Sequence, residues 1–236
     1  MINAAGLDGC KAGWLIFYYQ DRQYQFQLIN SIAEATAIFE RSKKILVDIP
    51  IGLSSENYNR QIEKQIRKLL KNRSSTIFTP PCREALEQDD YQKSNQLNRQ
   101  ITGKGLSKQA FNIGKKIAEV DNFLKTNRSF QLVESHPELC FKILNGQVLQ
   151  SKKNTREGQH QRRKIISNLS IGLDQTIEKA LKTYPNSKAQ PDDIIDAAIL
   201  CLSAQMSLIF NALVWKDIVS VDEKGIEVII ESGEIT

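Results

Sequence analysis

The chain has 236 residues, of which 41% are hydrophobic and 25% are charged, and its formal net charge at pH 7 is +5. The hydrophobic share is enough for a folded core and excludes wholesale disorder, and the length fits one domain with a sizeable insertion or two small domains. The mildly basic balance permits a polyanionic partner but does not require one.

The cysteines and the N-terminal segment indicate a protein of a reducing compartment. No two of the four cysteines form a Cys-x-x-Cys pair, so we do not expect a structural zinc site. Residues 1–10 lack the basic start and long apolar run of a signal peptide, and the longest apolar run, residues 197–202, is too short to cross a bilayer. We therefore expect a cytoplasmic protein without a membrane span.

The first fifty residues predict three strands, a helix and a further strand. Bulky β-formers, alternating polarity and an apolar run before Pro50 mark the strands. A capping-box spacing at Ser31 and Glu34 marks the helix. The predicted segments are a strand bearing Asp8, strands over 14–19, 24–29 (an edge strand) and 44–49, and a helix over 32–42. This order is typical of a ribonuclease-H-like fold but is compatible with other α/β layouts.

Residues 54–128 are polar and mostly helical, and we predict that they form a helical insertion over one edge of the sheet. The predicted helices of this insertion are 57–72, 84–98 and 107–126. The predicted fold is therefore α/β, with a mixed central sheet flanked by helices, and residues 1–236 are interpreted as a single ribonuclease-H-like domain.

The last hundred residues return to alternating strands and helices. Asp192 is the predicted N-cap of a strongly apolar helix, with Pro191 just outside it. The predicted segments are a strand over 130–134, helices over 138–146, 157–169, 174–183 and 193–213, and a hairpin of strands 217–221 and 226–231.

Four aspartates, Asp8, Asp48, Asp193 and Asp196, are the candidate catalytic metal ligands. Asp48 lies inside an apolar strand, where an uncompensated charge is costly, and the spacing of Asp193 and Asp196 places them on one helix face. If the four converge, Mg²⁺ or Mn²⁺ would relieve their repulsion, since both ions prefer oxygen ligands. The pattern predicts a two-metal site for phosphodiester hydrolysis. Ordinary alternatives are a turn residue for Asp8 and a first-turn helix acid for Asp193.

Six segments together resemble a family of predicted ribonuclease-H-like nucleases that is otherwise labelled as a domain of unknown function. They are LDGCKAGW (7–14), DIPIGL (48–53), RSSTIFTPPCREAL (73–86), GLSKQAFNIGKKIAEVD (105–121), ESHPELCFKILNG (134–146) and DDIIDA (192–197). The resemblance covers nearly the whole chain, and the motif set is specific in combination.

A more distant resemblance is to the RuvC-type Holliday junction resolvases. These enzymes place an Asp on the first strand, an acid on the strand after the first helix and a D-x-x-D-A pattern on the last helix. Asp8, Asp48 and residues 193–197 match this plan in order and type. The second acid is Asp48 here, whereas the resolvases commonly use Glu. The resemblance implies that Glu134 is an additional ligand or base; the alternative is a strand-end Glu that caps the turn before Pro137.

Three basic stretches are candidates for contacts with phosphate groups. The candidate phosphate-binding residues are Arg73, Ser75, Arg83, Lys104, Lys108 and Lys152. The alternatives are a solvated helix face for these residues and a structural ion pair for Arg83.

The sequence leaves three functions open. The leading hypothesis is a Mg²⁺- or Mn²⁺-dependent nuclease that acts on DNA or RNA. The second is an ATP-binding phosphotransferase of the actin and hexokinase-like class, because residues 8–13 resemble a first phosphate loop. The third is a non-catalytic nucleic-acid-binding module on the same fold. A homodimer is compatible with the exposed strand 24–29 or with the insertion.

Overall fold

A seven-stranded mixed sheet with flanking helices organises the computed structural model, which describes residues 3–235. Its strand order is β3-β2-β1-β4-β5-β7-β6. The strands are β1 (Ala4–Cys10), β2 (Gly13–Gln20), β3 (Gln23–Ile29), β4 (Lys44–Val47), β5 (Leu132–Glu134), β6 (Asn211–Val221) and β7 (Glu227–Glu234). The predicted α/β class is confirmed.

The pairing of the strands combines an antiparallel meander with a parallel centre. β1 pairs antiparallel with β2, and β2 pairs antiparallel with β3. β4 runs parallel to both β1 and β5, with Leu7 opposite Val47 and Val47 opposite Glu134. β3 lies at the edge of the sheet and alternates between exposed and less exposed residues, as predicted.

The α-helices are α1 (Thr36–Arg41), α2 (Ile62–Leu70), α3 (Tyr91–Thr102), α4 (Lys108–Asn112), α5 (Gly114–Thr126), α6 (Pro137–Asn145), α7 (Arg156–Leu169), α8 (Ile171–Thr183) and α9 (Pro191–Ile209). Within residues 3–235, none of these helices is both long and apolar enough to span a bilayer.

The first predicted helix begins at Ile32 with Ser31 as its N-cap, as predicted, but Ser31 makes no side-chain capping bond, and the predicted start of the second helix is wrong. At Ser31 the capping box is incomplete because the helix opens with a 3₁₀ turn, and the Glu34 N–H already donates to the Ser31 carbonyl (3.1 Å). α2 begins later than predicted because the Arg60 N–H donates to Ser54 Oγ (3.0 Å) and the Gln61 N–H donates to Asp217 Oδ2 (2.8 Å). A helix that began at residue 57 would need these two N–H groups for bonds to the carbonyls of residues 56 and 57, so the helix begins after them.

The predicted N-cap of the last helix is also wrong. Gln190 is the N-cap of α9, Pro191 occupies the first helical position, and Asp193 completes a capping box with the Gln190 backbone N–H. Proline suits this position because its fixed φ matches a helix and its missing N–H would have no partner there.

The chain divides into two compact units. The first comprises residues 1–48, 129–214 and 231–236, and the second comprises residues 49–128 and 215–230. In the first unit, α9 is buried continuously from Ile194 to Gln205. In the second unit, Arg83 forms buried ion pairs with Asp121 (2.7 Å) and Asp222 (2.6 Å).

Candidate metal centre

Two neighbouring parallel strands place Asp8 and Asp48 side by side. Asp8 follows Leu7 in β1, and Asp48 follows Val47 at the end of β4. Leu7 and Val47 are paired in register, and the Asp48 N–H donates to the Leu7 carbonyl (3.0 Å). The two carboxylates therefore lie at the same level of the sheet, at the carboxyl end of β4, where α/β proteins commonly bind ligands.

A glycine on β1 brings the third acid to this place. Gly6 and Asp8 are two residues apart and lie on the same face of β1. A Cβ on Gly6 would lie 2.1 Å from the Cys201 nitrogen and 2.5 Å from the Ala197 carbonyl oxygen, so the backbone of α9 packs directly on β1 at this point. This close approach explains how Asp196, one residue before Ala197, can reach Asp8.

Asp8, Asp48 and Asp196 form one carboxylate cluster, which we call the acidic triad. Each offers an oxygen, and these three oxygens lie within 4.8 Å of one another. Asp8 is 7% exposed, Asp196 is 1% exposed and Asp48 is half-buried. The predicted meeting of these three residues is confirmed, and the spacing is compatible with a bound metal ion.

The triad is electrostatically strained. Burial raises the pKa of Asp8 well above its usual value, and the negative charges of Asp48 and Asp196 raise it further, while Lys153 opposes this shift. Burial also raises the pKa of Asp196 to about 7, although Lys153 again acts in the opposite direction. Such shifts arise when like charges are held together in a poorly solvated place, and a bound cation would remove the cause.

Lys153 supplies positive charge to the triad. Its Nζ lies 2.6 Å from Asp196 Oδ2 and 3.7 Å from Asp192 Oδ2. The charge of Asp196 is the main cause that raises the pKa of Lys153, so the ammonium is held in its charged form. The second oxygen of Asp196, Oδ1, is buried and makes no hydrogen bond within the described residues.

A buried arginine fixes the loop that carries Lys153. Arg162 donates to the Ser151 carbonyl (3.2 Å), the Gly158 carbonyl (3.1 Å) and Glu138 Oε1 (2.6 Å). Its guanidinium also lies 5.5 Å from the ring centroid of Phe141. The bond to the Ser151 carbonyl ties the loop that carries Lys153 to α7, which begins three residues after Lys153.

The other predicted acidic ligands lie near the triad but outside the three-oxygen cluster. Asp193 Oδ2 accepts the Gln190 N–H (2.8 Å), and its charge still raises the pKa of Asp8. Glu134 is buried at the end of β5, opposite Val47. Their participation as ligands or bases stays a prediction.

The predicted phosphate-binding residues lie in both units. Arg83 is buried in the ion pairs with Asp121 and Asp222, which corresponds to the structural alternative for this residue. Among the others, Arg73 is partly exposed, and four are exposed: Ser75, Lys104, Lys108 and Lys152. Their role in phosphate binding stays a prediction.

Sequence reasoning missed the lysine that contacts the triad. It selected Lys152 as a phosphate contact, although the side chain of Lys152 is exposed and the neighbouring Lys153 contacts the triad. The two lysines lie in a loop before α7, where no helical or strand period indicates which side chain points inward. The bond from Arg162 to the Ser151 carbonyl of this loop is a tertiary contact, and nothing in the residue spacing indicates it.

Comparison with known proteins gives one family match. The model of a family described as "Protein of unknown function (DUF429)" matches residues 6–208. No curated protein and no solved structure matches the chain. The matched range includes the three residues of the acidic triad and Lys153.

Proposed function

The chain belongs to the DUF429 family of proteins of unknown function, and from this premise we propose that it is a metal-dependent phosphodiester hydrolase. The metal centre of this enzyme is the acidic triad, and its ion is Mg²⁺ or Mn²⁺. Hard divalent cations prefer oxygen ligands, and the triad offers only carboxylate oxygens.

One observation carries the proposal. Asp196 Oδ1 is buried and has no hydrogen-bond partner within residues 3–235. The other oxygen of the same carboxylate, Oδ2, accepts a hydrogen bond from Lys153 Nζ. An unsatisfied buried carboxylate oxygen is costly. A cation shared with Asp8 and Asp48 would satisfy it and would lower the repulsion that raises the pKa of Asp8.

Charge balance favours one tightly held ion. Three ionised carboxylates and the ammonium of Lys153 leave two negative charges, which one divalent cation neutralises. A second ion, as in the two-metal scheme expected from the sequence, would need further ligands. Asp193, Glu134 and the substrate phosphate could supply these.

The residues of the site suit an in-line displacement at phosphorus. A bound divalent ion lowers the pKa of a coordinated water and polarises the phosphate. The three carboxylates orient the reacting groups from rigid strands and a long helix, which limits their motion. Lys153, whose Nζ lies 2.6 Å from Asp196 Oδ2 and whose side chain is partly exposed, is placed to stabilise negative charge that develops on the phosphate oxygens.

The proposed substrate is nucleic acid, and we propose a nuclease of the ribonuclease-H-like class. Support comes from the resemblance of the six sequence segments, from the acids on the first strand, the fourth strand and the last helix, and from the net charge of +5. The sheet order β3-β2-β1-β4-β5 is compatible with this class. The exposed Lys104, Lys108 and Lys152 stay proposed phosphate contacts.

The test is cleavage by purified protein with Mn²⁺ or Mg²⁺, with excess chelator as the metal-free control. Single-stranded and duplex DNA and RNA are the substrates. Asp8→Asn should abolish cleavage and the increase in melting temperature that Mn²⁺ causes. Retained cleavage in Asp8→Asn would contradict the proposal.

A matched control is Asp21→Asn. Asp21 is exposed, pairs with exposed Arg41 and has φ of 52°, a conformation that Asn tolerates. This variant should retain full activity and the full metal-dependent shift. A metal-dependent shift without cleavage of any substrate would favour the non-catalytic alternative, and binding of ATP by calorimetry would favour the phosphotransferase.

A further inference from the structure

A groove in the first unit lies beside the acidic triad but does not include it. Its volume is about 640 Å³, and it is lined by residues of α7, α8 and the first turns of α9. Arg156, Arg163 and Lys164 contribute positive charge to the lining, and Asp174 contributes negative charge. We propose that this groove, which we call the α7 groove, binds the phosphodiester backbone of a nucleic-acid strand; the inference rests on the proposed function.

The basic residues form a stripe along α7. Arg156, His160 and Lys164 all line the groove and are spaced four residues apart. This spacing places them on one face of the helix, about one turn of 5.4 Å apart. Side chains in such a row can contact successive phosphates of an extended strand without reading its bases.

The basic residues of the groove differ in whether they form ion pairs with carboxylates. Arg163 donates to Asp174 (2.8 Å) and Glu178 (2.8 Å), so the one carboxylate of the lining is already neutralised. Neither Arg156 nor Lys164 has an acidic partner within the described part of the chain, and both are exposed. The groove therefore presents uncompensated positive charge.

The groove meets the triad on the first two turns of α9. Pro191 and Ile195 line the groove, and the next residue after each, Asp192 and Asp196, faces Lys153. Neighbouring residues of a helix point about 100° apart, so the groove and the triad occupy adjacent sides of the same turns. A strand that lies in the groove could continue to the triad without leaving this unit.

The lining chemistry favours a nucleic-acid backbone over an acidic peptide. Gln159, Ser167 and Asn168 add hydrogen-bond donors, which suit phosphate and sugar oxygens. An acidic peptide would present carboxylates at variable spacing, whereas the stripe has a regular repeat. Each phosphate that a cation neutralises also releases a counterion, which gives a signature in the salt dependence of binding.

The experiment compares the full chain with the double variant Arg156→Gln/Lys164→Gln. Binding of fluorescein-labelled oligothymidylate, oligouridylate and duplex DNA is followed by anisotropy with chelator present, so no cleavage occurs. For the single strands, we expect the variant to bind about tenfold more weakly at low salt, and its log–log salt slope to be smaller in magnitude by about 1.4, roughly 0.7 for each lost contact.

The matched control is Lys93→Gln/Lys179→Gln, which removes equal charge from two exposed positions outside the lining that have no acidic partner among the described residues. An equal loss of affinity and slope in both double variants would overturn the proposal, because it would indicate a general charge effect. Competition by polyglutamate as strong as by oligothymidylate would also overturn it. Circular dichroism and thermal melting verify that both variants fold.

The outcome is separable from that of the proposed hydrolysis. Cleavage that depends on Asp8, together with unchanged binding by Arg156→Gln/Lys164→Gln, would reject the α7 groove and leave the metal centre intact. Specific loss of binding in that variant, with no cleavage by the wild type, would support the groove and reject the hydrolase.

Discussion

Lys153 is the residue whose environment gives the sharpest expectation at the scale of single side chains. In metal-free protein, Lys153→Met would leave the buried Asp196 without its ionic hydrogen bond. We expect a loss of stability of about 1.5–3 kcal/mol, the range for a hydrogen bond to a charged group. The loss should shrink when Mg²⁺ is added, because the ion would replace the missing positive charge. Thermal melting with and without Mg²⁺ measures both effects.

Lys152→Met is the control for this substitution, because Lys152 is adjacent and exposed. It should change the melting temperature little in either condition. A deficit in Lys153→Met that persists unchanged in saturating Mg²⁺ would contradict a cation-binding triad.

The triad itself could be predicted from the sequence because its members break a rule. Asp48 and Asp196 stand among apolar residues, where a charge needs a compensating partner. Arg83 shows the limit of such reasoning. Its positive charge suggested phosphate binding, but its partners Asp121 and Asp222 are 38 and 139 residues away along the chain, and no local pattern indicates them.

At the scale of elements, the contact between β1 and α9 is the packing on which the site depends. Gly6→Ala would place a Cβ 2.1 Å from the Cys201 nitrogen, and backbone cannot move aside as a flexible side chain can. We expect destabilisation at or above the upper end of about 1–3 kcal/mol for overpacking, together with loss of metal binding. Chemical denaturation and metal titration are the measurements.

Gly172→Ala tests whether the effect belongs to this contact. A Cβ there would meet only Tyr24 Cδ2 at 3.9 Å, in ordinary contact, and residue 172 lies in helix α8. Alanine should therefore be neutral or stabilising by up to about 1 kcal/mol. If Gly6→Ala proved as mild as Gly172→Ala, the close packing of α9 on β1 would not be a requirement of the site.

A second element-scale expectation concerns Asp222, which follows β6. Burial alone would raise its pKa, but hydrogen bonds from Arg83 and from the Ile226 and Leu53 N–H groups outweigh burial and lower it. A carboxyl group with a lowered pKa in the folded state contributes stability that is present above its unfolded pKa of about 3.9 and is lost as the pH falls through the folded value.

Asp222→Asn should therefore destabilise the protein at neutral pH by about 3–5 kcal/mol, the cost of breaking a buried ion pair. The stability of the variant should also fall less steeply than that of wild type as the medium is acidified below that unfolded value. Urea denaturation across an acidic series measures both. Parallel curves for variant and wild type would show that Asp222 is not linked to acid unfolding.

The types and order of most elements could be predicted from the sequence because their hydrophobic periods are strong. The ends of several helices could not, because individual side chains determine where a helix stops. The predicted helix 107–126 is divided between Asn112 and Gly114, and glycine is a weak helix former. The predicted helix 193–213 ends at Ile209, and β6 begins at Asn211. Leu213, Val214 and Trp215 favour a strand. Because apolar residues continue from the helix into this strand, the pattern did not show where the helix ends.

At the scale of the whole molecule, the three aspartates of the triad all belong to the first unit. The chain passes into the second unit directly after Asp48. A ligand that binds only the folded state stabilises it by about 2.7 kcal/mol at one hundred times its dissociation constant. Amide exchange that proceeds through local opening should respond only where opening breaks the site.

We therefore expect Mg²⁺ to slow hydrogen exchange in β1, in β4 and at the start of α9, and to leave α3 and α5 unchanged. Hydrogen–deuterium exchange with mass spectrometry measures this, with Asp8→Asn as the variant in which the effect should vanish. Equal slowing in α3 and α5 would mean that those amides exchange through a global opening that metal suppresses. Absence of slowing in β1 at saturating metal would contradict the site, because an ion shared by β1, β4 and α9 must be released before these elements can separate.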